Sequence, residues 1–180
     1  SETPRHLEIR RDDIHLTRFQ QRRETLTLFV VDASGSAALQ RLAEAKGAVE
    51  LLLADCYVRR DQVALIAFRD EQAELLLPPT RSLVRAKKTL AALPGGGATP
   101  MAAALDLTRD MAERAGKQGI TMQYVILTDG AANVARDGTR SREAGTADAL
   151  SAARMLAISQ SSGLVIDTAQ RPQPRARELA

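Results

Sequence analysis

The run LTLFVV, residues 26–31, holds one polar side chain in six. A strand with one face in water alternates apolar and polar residues, and this one does not. It must be covered on both faces, which in a soluble chain means a parallel sheet packed under helices. The residues that follow, Asp32-Ala33-Ser34-Gly35-Ser36, are small and polar. In open α/β sheets ligands bind outside the carboxyl ends of the strands. The first core strand therefore delivers one carboxylate and two hydroxyls to the edge where ligands are taken.

The rest of the chain repeats the alternation of short apolar runs and helical-period segments. ALQRLAEAKGAVELLLADCYV has apolar residues at helical spacing, and QVALIAF is a second buried strand. AELLLPP is shorter and is closed by Pro78 and Pro79, which places it at a sheet edge. SLVRAKKTLAAL predicts a helix ended by Pro94 and the glycines 95–97. ATPMAAALDLTRDMAERAG predicts another, with Thr99 as N-cap and Pro100 in the first turn. MQYVILTDG is a third buried strand, and ANVARDGTRSREAGT a polar loop. ADALSAARMLAISQSSG predicts a helix ended by Gly163, and LVIDTA a fourth buried strand. Residues 1–25 form a charged N-terminal arm in which HLEI and IHLTRF suggest short edge strands or a hairpin. The fold class is α/β: a doubly wound, mostly parallel sheet with one antiparallel edge strand and helices on both faces.

Composition removes several function classes. Aromatic residues make up 3% of the 180, with no Trp, so a base-stacking nucleic-acid surface is not expected. The net charge of +3 is spread out, with Arg10, Arg11, Arg22 and Arg23 near Asp12, Asp13 and Glu24, and gives no phosphate-binding stripe. The single Cys56 cannot form an internal disulfide, lies on an apolar helix and reads as a small core residue. No apolar run is long enough to span a bilayer and no secretory leader precedes the arm, so a cytoplasmic location is expected. The opening lacks an initiator Met and the last residues, RPQPRARELA, read as an unfinished helix, as expected of a piece of a longer protein.

Three loops carry oxygen donors toward one sheet edge. They are Asp32-Ala33-Ser34-Gly35-Ser36, the glycine loop that ends in Thr99-Pro100, and Thr128-Asp129-Gly130. Together they gather two carboxylates and three hydroxyls with no sulfur and no imidazole. That is a hard-oxygen set suited to Mg2+ or a similar divalent cation. Few anionic ligands leave such an ion electrophilic, so an acidic side chain from a partner can complete its shell.

The spacing of Asp32, Ser34, Ser36, Thr99 and Asp129 resembles the metal-ion-dependent adhesion site (MIDAS) of von Willebrand factor A (integrin I-type) domains, and the element order agrees over 26–169. More narrowly, TLFVVDASGSAA, LPGGGATPMAAALDL and YVILTDGAANV resemble the C-terminal domain of magnesium chelatase D subunits. That resemblance implies a domain over 26–180 lacking its last strand and helix, which leaves a sheet edge exposed. It implies an interaction module, not itself catalytic, within an ATP-dependent complex that inserts Mg2+ into protoporphyrin IX in chlorophyll and bacteriochlorophyll synthesis. The implied partners are an AAA+ ATPase I subunit and a porphyrin-binding H subunit, in a ring-shaped hetero-oligomer. A cobalt chelatase or another AAA+-linked complex is an alternative resting on the same motifs.

Plainer readings stand beside these. DASGS alone serves as a turn with Asp32 capping the next helix, and the glycines as a helix terminator. A phosphate loop does not fit, because no Lys-Ser/Thr pair follows them. A phosphatase of the haloacid-dehalogenase type would use Asp32 as nucleophile but needs a second acid where Ser34 stands. A serine hydrolase lacks a base, since His6 and His15 both precede the first core strand. Asp70 and Asp167 follow strands and read as structural. Arg136, Asp137, Arg140, Arg142 and Glu143 read as a solvated loop or, following Asp129 so closely, as an anion-docking surface.

Overall fold

A computed structural model of the chain describes residues 24–35, 38–159 and 161–169. The hairpin expected in the arm, the two histidines and Ser36 lie outside the described residues.

The apolar runs form strands because each is short, rich in Val, Ile, Leu and Phe, and bounded by turn residues. β1 (Thr25–Asp32), β2 (Gln62–Arg69), β3 (Gln72–Thr80), β4 (Thr121–Thr128) and β5 (Ser162–Asp167) make one sheet in the order β3-β2-β1-β4-β5. β1 pairs in parallel with β2 and β4, β4 in parallel with β5, and β2 antiparallel with β3. This is the mostly parallel sheet with one antiparallel edge that the runs imply. The β2–β3 turn is tight, and Asp70 takes a left-handed φ of 56°. β3 runs through Pro78 and Pro79 and ends one residue later, at Thr80. A strand with one neighbour leaves part of its backbone unpaired, so missing N–H groups there cost little.

Four helices cover the sheet among the described residues: α1 (Ala38–Arg59), α2 (Leu83–Ala91), α3 (Met101–Lys117) and α4 (Arg142–Ala157). The strand period of two divides the core. Leu28, Val30, Ile66, Phe68 and Ile126 face α3 and α4. Phe29, Val31, Leu65, Val125 and Leu127 face α1 and α2, with Cys56 buried among them as expected of a core cysteine.

Three boundaries differ from the sequence expectation. α4 begins at Arg142, so REAGT is its first turn and not loop. Ser141 caps it by accepting from Ala144 N, and buried Gly145 lets the helix lie against the backbone of Asn133 and Val134, where a Cβ would stand 2.8 Å from Val134 N. α4 ends at Ala157, and Gly163 lies within β5. A Cβ on Gly163 would collide with the Tyr124 ring, so this glycine makes room for an aromatic neighbour and does not stop a helix. β5 is also not the fully buried strand its apolar run suggests, since Leu164 is 50% exposed. An apolar run does not distinguish a central strand from one paired on one side only.

Candidate metal centre

β1 and β4 run in parallel with Val31 beside Leu127, so the residues after them emerge side by side. Alternation then turns Asp32 and Thr128 toward the α3 face, the side of Leu28, Val30 and Ile126. Thr128 Oγ1 donates to Asp32 Oδ2 at 2.9 Å and accepts from Gly130 N at 3.0 Å. Ser34 follows Asp32 by one strand period. Its N–H and hydroxyl both donate to Asp32 Oδ1, at 2.9 and 2.6 Å. Thr99 Oγ1 then donates to Ser34 Oγ at 2.7 Å. One continuous chain of side-chain oxygens therefore joins Thr99, Ser34, Asp32 and Thr128.

The glycine loop reaches this edge because its backbone is bonded to the tip of β1. Gly96 N donates to Ala33 O at 2.9 Å, and Gly35 N to Gly97 O at 3.0 Å. Gly97 has φ 84°, and a Cβ there would stand 1.9 Å from Asp70 Oδ1, so only glycine lets the loop pass over the β2–β3 turn. From the other side Asn133 holds Thr99 twice. Its Oδ1 accepts from Thr99 N at 2.7 Å, and its own N–H donates to Thr99 O at 3.2 Å. Thr99 is consequently not the N-cap of α3. Pro100 occupies that place without a side-chain cap bond. α3 begins at Met101, which leaves Thr99 one residue outside the cap position, with its hydroxyl proton directed to Ser34.

The site is dry and negative. Asp32, Ser34 and Thr99 are 6%, 4% and 3% exposed. Burial pushes the Asp32 carboxyl up from its ordinary 3.8; the bonds from Ser34 lower it, and the negative charge of Asp129 raises it further. Among the described residues no cationic side chain acts on Asp32. Its charge there is met by neutral donors, in a place where a like charge opposes it.

A divalent ion fits that imbalance. Mg2+ holds oxygens at about 2.1 Å in octahedral geometry, so neighbouring donors stand about 3 Å apart. The Asp32–Ser34 and Ser34–Thr99 oxygen separations of 2.6 and 2.7 Å need open by only a few tenths of an ångström. The two hydroxyls also exchange readily between hydrogen bonding and ligation, because their lone pairs remain when their protons turn away. Among the described residues no three His, Cys, Asp or Glu side chains cluster as a metal cage, so an ion here depends on hydroxyls.

Of the five residues singled out from the sequence, the fold joins Asp32, Ser34 and Thr99 directly and brings Asp129 within electrostatic reach of Asp32. Asp129 begins its own turn, with Oδ1 accepting from Ala131 N at 2.9 Å. Asp167 Oδ1 accepts from Ala169 N at 2.8 Å, a structural bond as expected. Two contributors were not singled out. Thr128 shares the TDG motif with Asp129, and its role follows from the β1–β4 register. Asn133 lies in the polar loop, and nothing local marks it as the residue that holds Thr99. That loop is also more than a solvated stretch. Arg136 Nε and Nη2 donate to Asp106 at 2.7 and 3.1 Å, and its N–H donates to Asp148 at 2.8 Å, which fastens the loop to α3 and α4.

The segment that carries these three loops is matched by a known family. The von Willebrand factor type A domain pattern covers residues 27–131. The chain belongs to the von Willebrand factor type A domain family. Among curated relatives of this A domain, the magnesium-chelatase 60 kDa subunit of Cereibacter sphaeroides is 51% identical over 172 residues, 96% of this chain and 31% of that protein. The corresponding subunit of Rhodobacter capsulatus is 46% identical over 178 residues, 99% of this chain and 32% of that one. The chain thus spans about a third of the length of these relatives. Among solved structures, the manganese-loaded TRAP protein of Plasmodium vivax superposes with a TM-score of 0.60 at 17% identity, over 87% of this chain and 62% of that one. At that identity the likeness is one of fold. No described helix is long and apolar enough to cross a membrane.

Proposed function

We propose that this A domain is the metal-dependent interaction module of a magnesium chelatase D subunit. In this reading Asp32, Ser34, Ser36, Thr99 and Asp129 hold one divalent cation, Mg2+ in the first instance. The ion, when bound, supplies a Lewis-acidic position that an acidic side chain of a partner completes. The protein's own residues do the rest. Asp32 and Asp129 provide the negative charge, the hydroxyls of Ser34 and Thr99 provide neutral oxygens, and Thr128 and Asn133 hold Asp32 and Thr99 in place. The partners are the AAA+ ATPase subunit and the porphyrin-binding subunit of the complex that inserts Mg2+ into protoporphyrin IX, in the cytoplasm.

The observation that carries the reading is the unbroken oxygen chain from Thr99 through Ser34 to Asp32, beside Asp129, at the ligand edge of the sheet. The 51% identity to a magnesium-chelatase subunit supports the assignment to that complex, and a manganese-loaded protein of the same fold supports a divalent cation as the occupant. A phosphatase reading gains nothing from the geometry, since Ser34 occupies the place of the required second acid and donates to Asp32.

The test is assembly of the whole subunit with its AAA+ partner during a Mg2+ titration, followed by porphyrin metallation read from absorbance. Binding that rises with Mg2+ in the wild type and is lost in Asp129→Ala is the expected result. Assembly and metallation that are indifferent to both the ion and the substitution would remove the proposal.

A further inference from the structure

The three arginines that follow Asp129 are not equivalent. Arg136 is committed to Asp106 and Asp148. Among the described residues Arg140 pairs with Glu71 alone, at 3.7 Å and with both side chains more than half exposed. Arg142, exposed in the first turn of α4, makes no ion pair among the described residues. Arg140 and Arg142 line an open cavity of about 360 Å3 with Gly97, Ala98 and Asn133. Gly97 and Ala98 are the residues leading into Thr99, and Asn133 is the residue that clamps it. The cavity therefore shares a wall with the oxygen cluster, and its volume lies within the range of ligand-sized clefts, roughly 300–1,000 Å3.

We propose that Arg140 and Arg142 form an anion subsite that reads a second carboxylate in the acidic partner segment whose first carboxylate completes the metal shell. This rests on the metal-bridge reading above and adds to it the partner's chemistry: two acidic side chains close together, one at the ion and one on the arginines. Guanidinium groups suit the second role, because they bind carboxylates in a planar, two-pronged way. The amino terminus of α4, capped at Ser141, adds positive partial charge on the same side. The weak, solvent-exposed contact of Arg140 with Glu71 is of a kind that an incoming carboxylate displaces at little cost. Fixing a second point beside the ion also sets the direction in which the partner segment lies, which one metal bond cannot do.

The experiment uses the whole subunit and the AAA+ subunit of the same complex, with Mg2+ affinity measured separately on the free subunit. In R140E/R142E the Mg2+ affinity is expected to hold or rise, since positive charge beside the cation is removed, while partner affinity falls about tenfold or more, with a flatter dependence on NaCl. R140K/R142K is expected to recover part of the loss, since charge returns without the two-pronged geometry. Wild-type partner affinity in R140E/R142E, with binding still lost in Asp129→Ala, overturns the subsite and leaves the metal bridge standing. Partner binding by the wild type that ignores Mg2+ overturns the bridge and the subsite with it. Saturation of the arginine pair by inorganic phosphate at concentrations where acetate has no effect marks a phosphate site and overturns the carboxylate assignment.

Discussion

Replacing Asp32 by Asn separates the cost of the buried charge from its use. Asn keeps an oxygen for the N–H and hydroxyl of Ser34, the donors now at 2.9 and 2.6 Å from Oδ1. Its amide nitrogen takes the place of Oδ2 and faces Thr128 Oγ1, which already accepts from Gly130 N. The Thr128 proton must turn away, a loss of about 0.5–1.5 kcal/mol for one hydrogen bond. Against this, the substitution removes a charge that burial and Asp129 both oppose. The two effects act in opposite directions, so the metal-free chain is expected to melt within about 4 °C of wild type, at 2–4 °C per kcal/mol for this size. The pH dependence has a definite sign. Folding raises the Asp32 carboxyl above 3.8, so the folded state holds that proton more tightly than the unfolded one. The stability this provides is complete below 3.8 and is lost as pH rises through the folded value. Asn suffers no such loss, and in EDTA its melting temperature relative to wild type is expected to improve between pH 4 and pH 7. Added Mg2+ then reverses the order. The wild type gains about 1.4 kcal/mol for each tenfold rise above its dissociation constant, roughly 3–6 °C, and the variant gains none. Differential scanning fluorimetry across Mg2+ concentrations measures this directly. Equal Mg2+ responses in the two proteins would refute the reasoning, because the ion would then be held without this carboxylate or not at this edge.

Two further outcomes follow from the loops. Gly97→Ala strains a φ of 84° and places a methyl group where the Asp70 carboxylate stands, so the loop backbone relaxes away from its bonds to the β1 tip as the Asp70 side chain swings out. Isothermal titration is expected to show at least a tenfold loss of Mg2+ affinity, while circular dichroism shows the sheet and helices retained. Arg136→Ala removes the fork onto Asp106 and the ion pair with Asp148. It is expected to cost about 1 kcal/mol, seen as a drop of about 2–4 °C in thermal melting, with a smaller effect in high salt.

The chain's own pattern determined most of the frame. LTLFVV, QVALIAF and MQYVILT had to be covered on both faces, and the helices between them had to lie on those faces, because apolar runs of that length have no other place in water. That Asp32, Ser34, Thr99 and Asp129 come to one edge was legible for a related reason: small oxygen-bearing residues directly after buried strands or glycines are carried to the ligand edge by any such fold. What the pattern does not encode is distance between segments. The β1–β4 register made Thr128 the partner of Asp32, and the packing of α4 on the 133–134 backbone brought Asn133 onto Thr99. It also placed Thr99 one residue before the helix end that local preference assigned to it, because α3 starts at Met101 and Asn133 and Ser34 hold Thr99 at the β1 tip. Gly163 shows the same limit, reading locally as a helix stop and serving in the fold as space for the Tyr124 ring. Local chemistry decides which residues can form elements and reach an edge; only the closed sheet decides which of them touch, because those contacts join positions 65 and 96 residues apart along the chain.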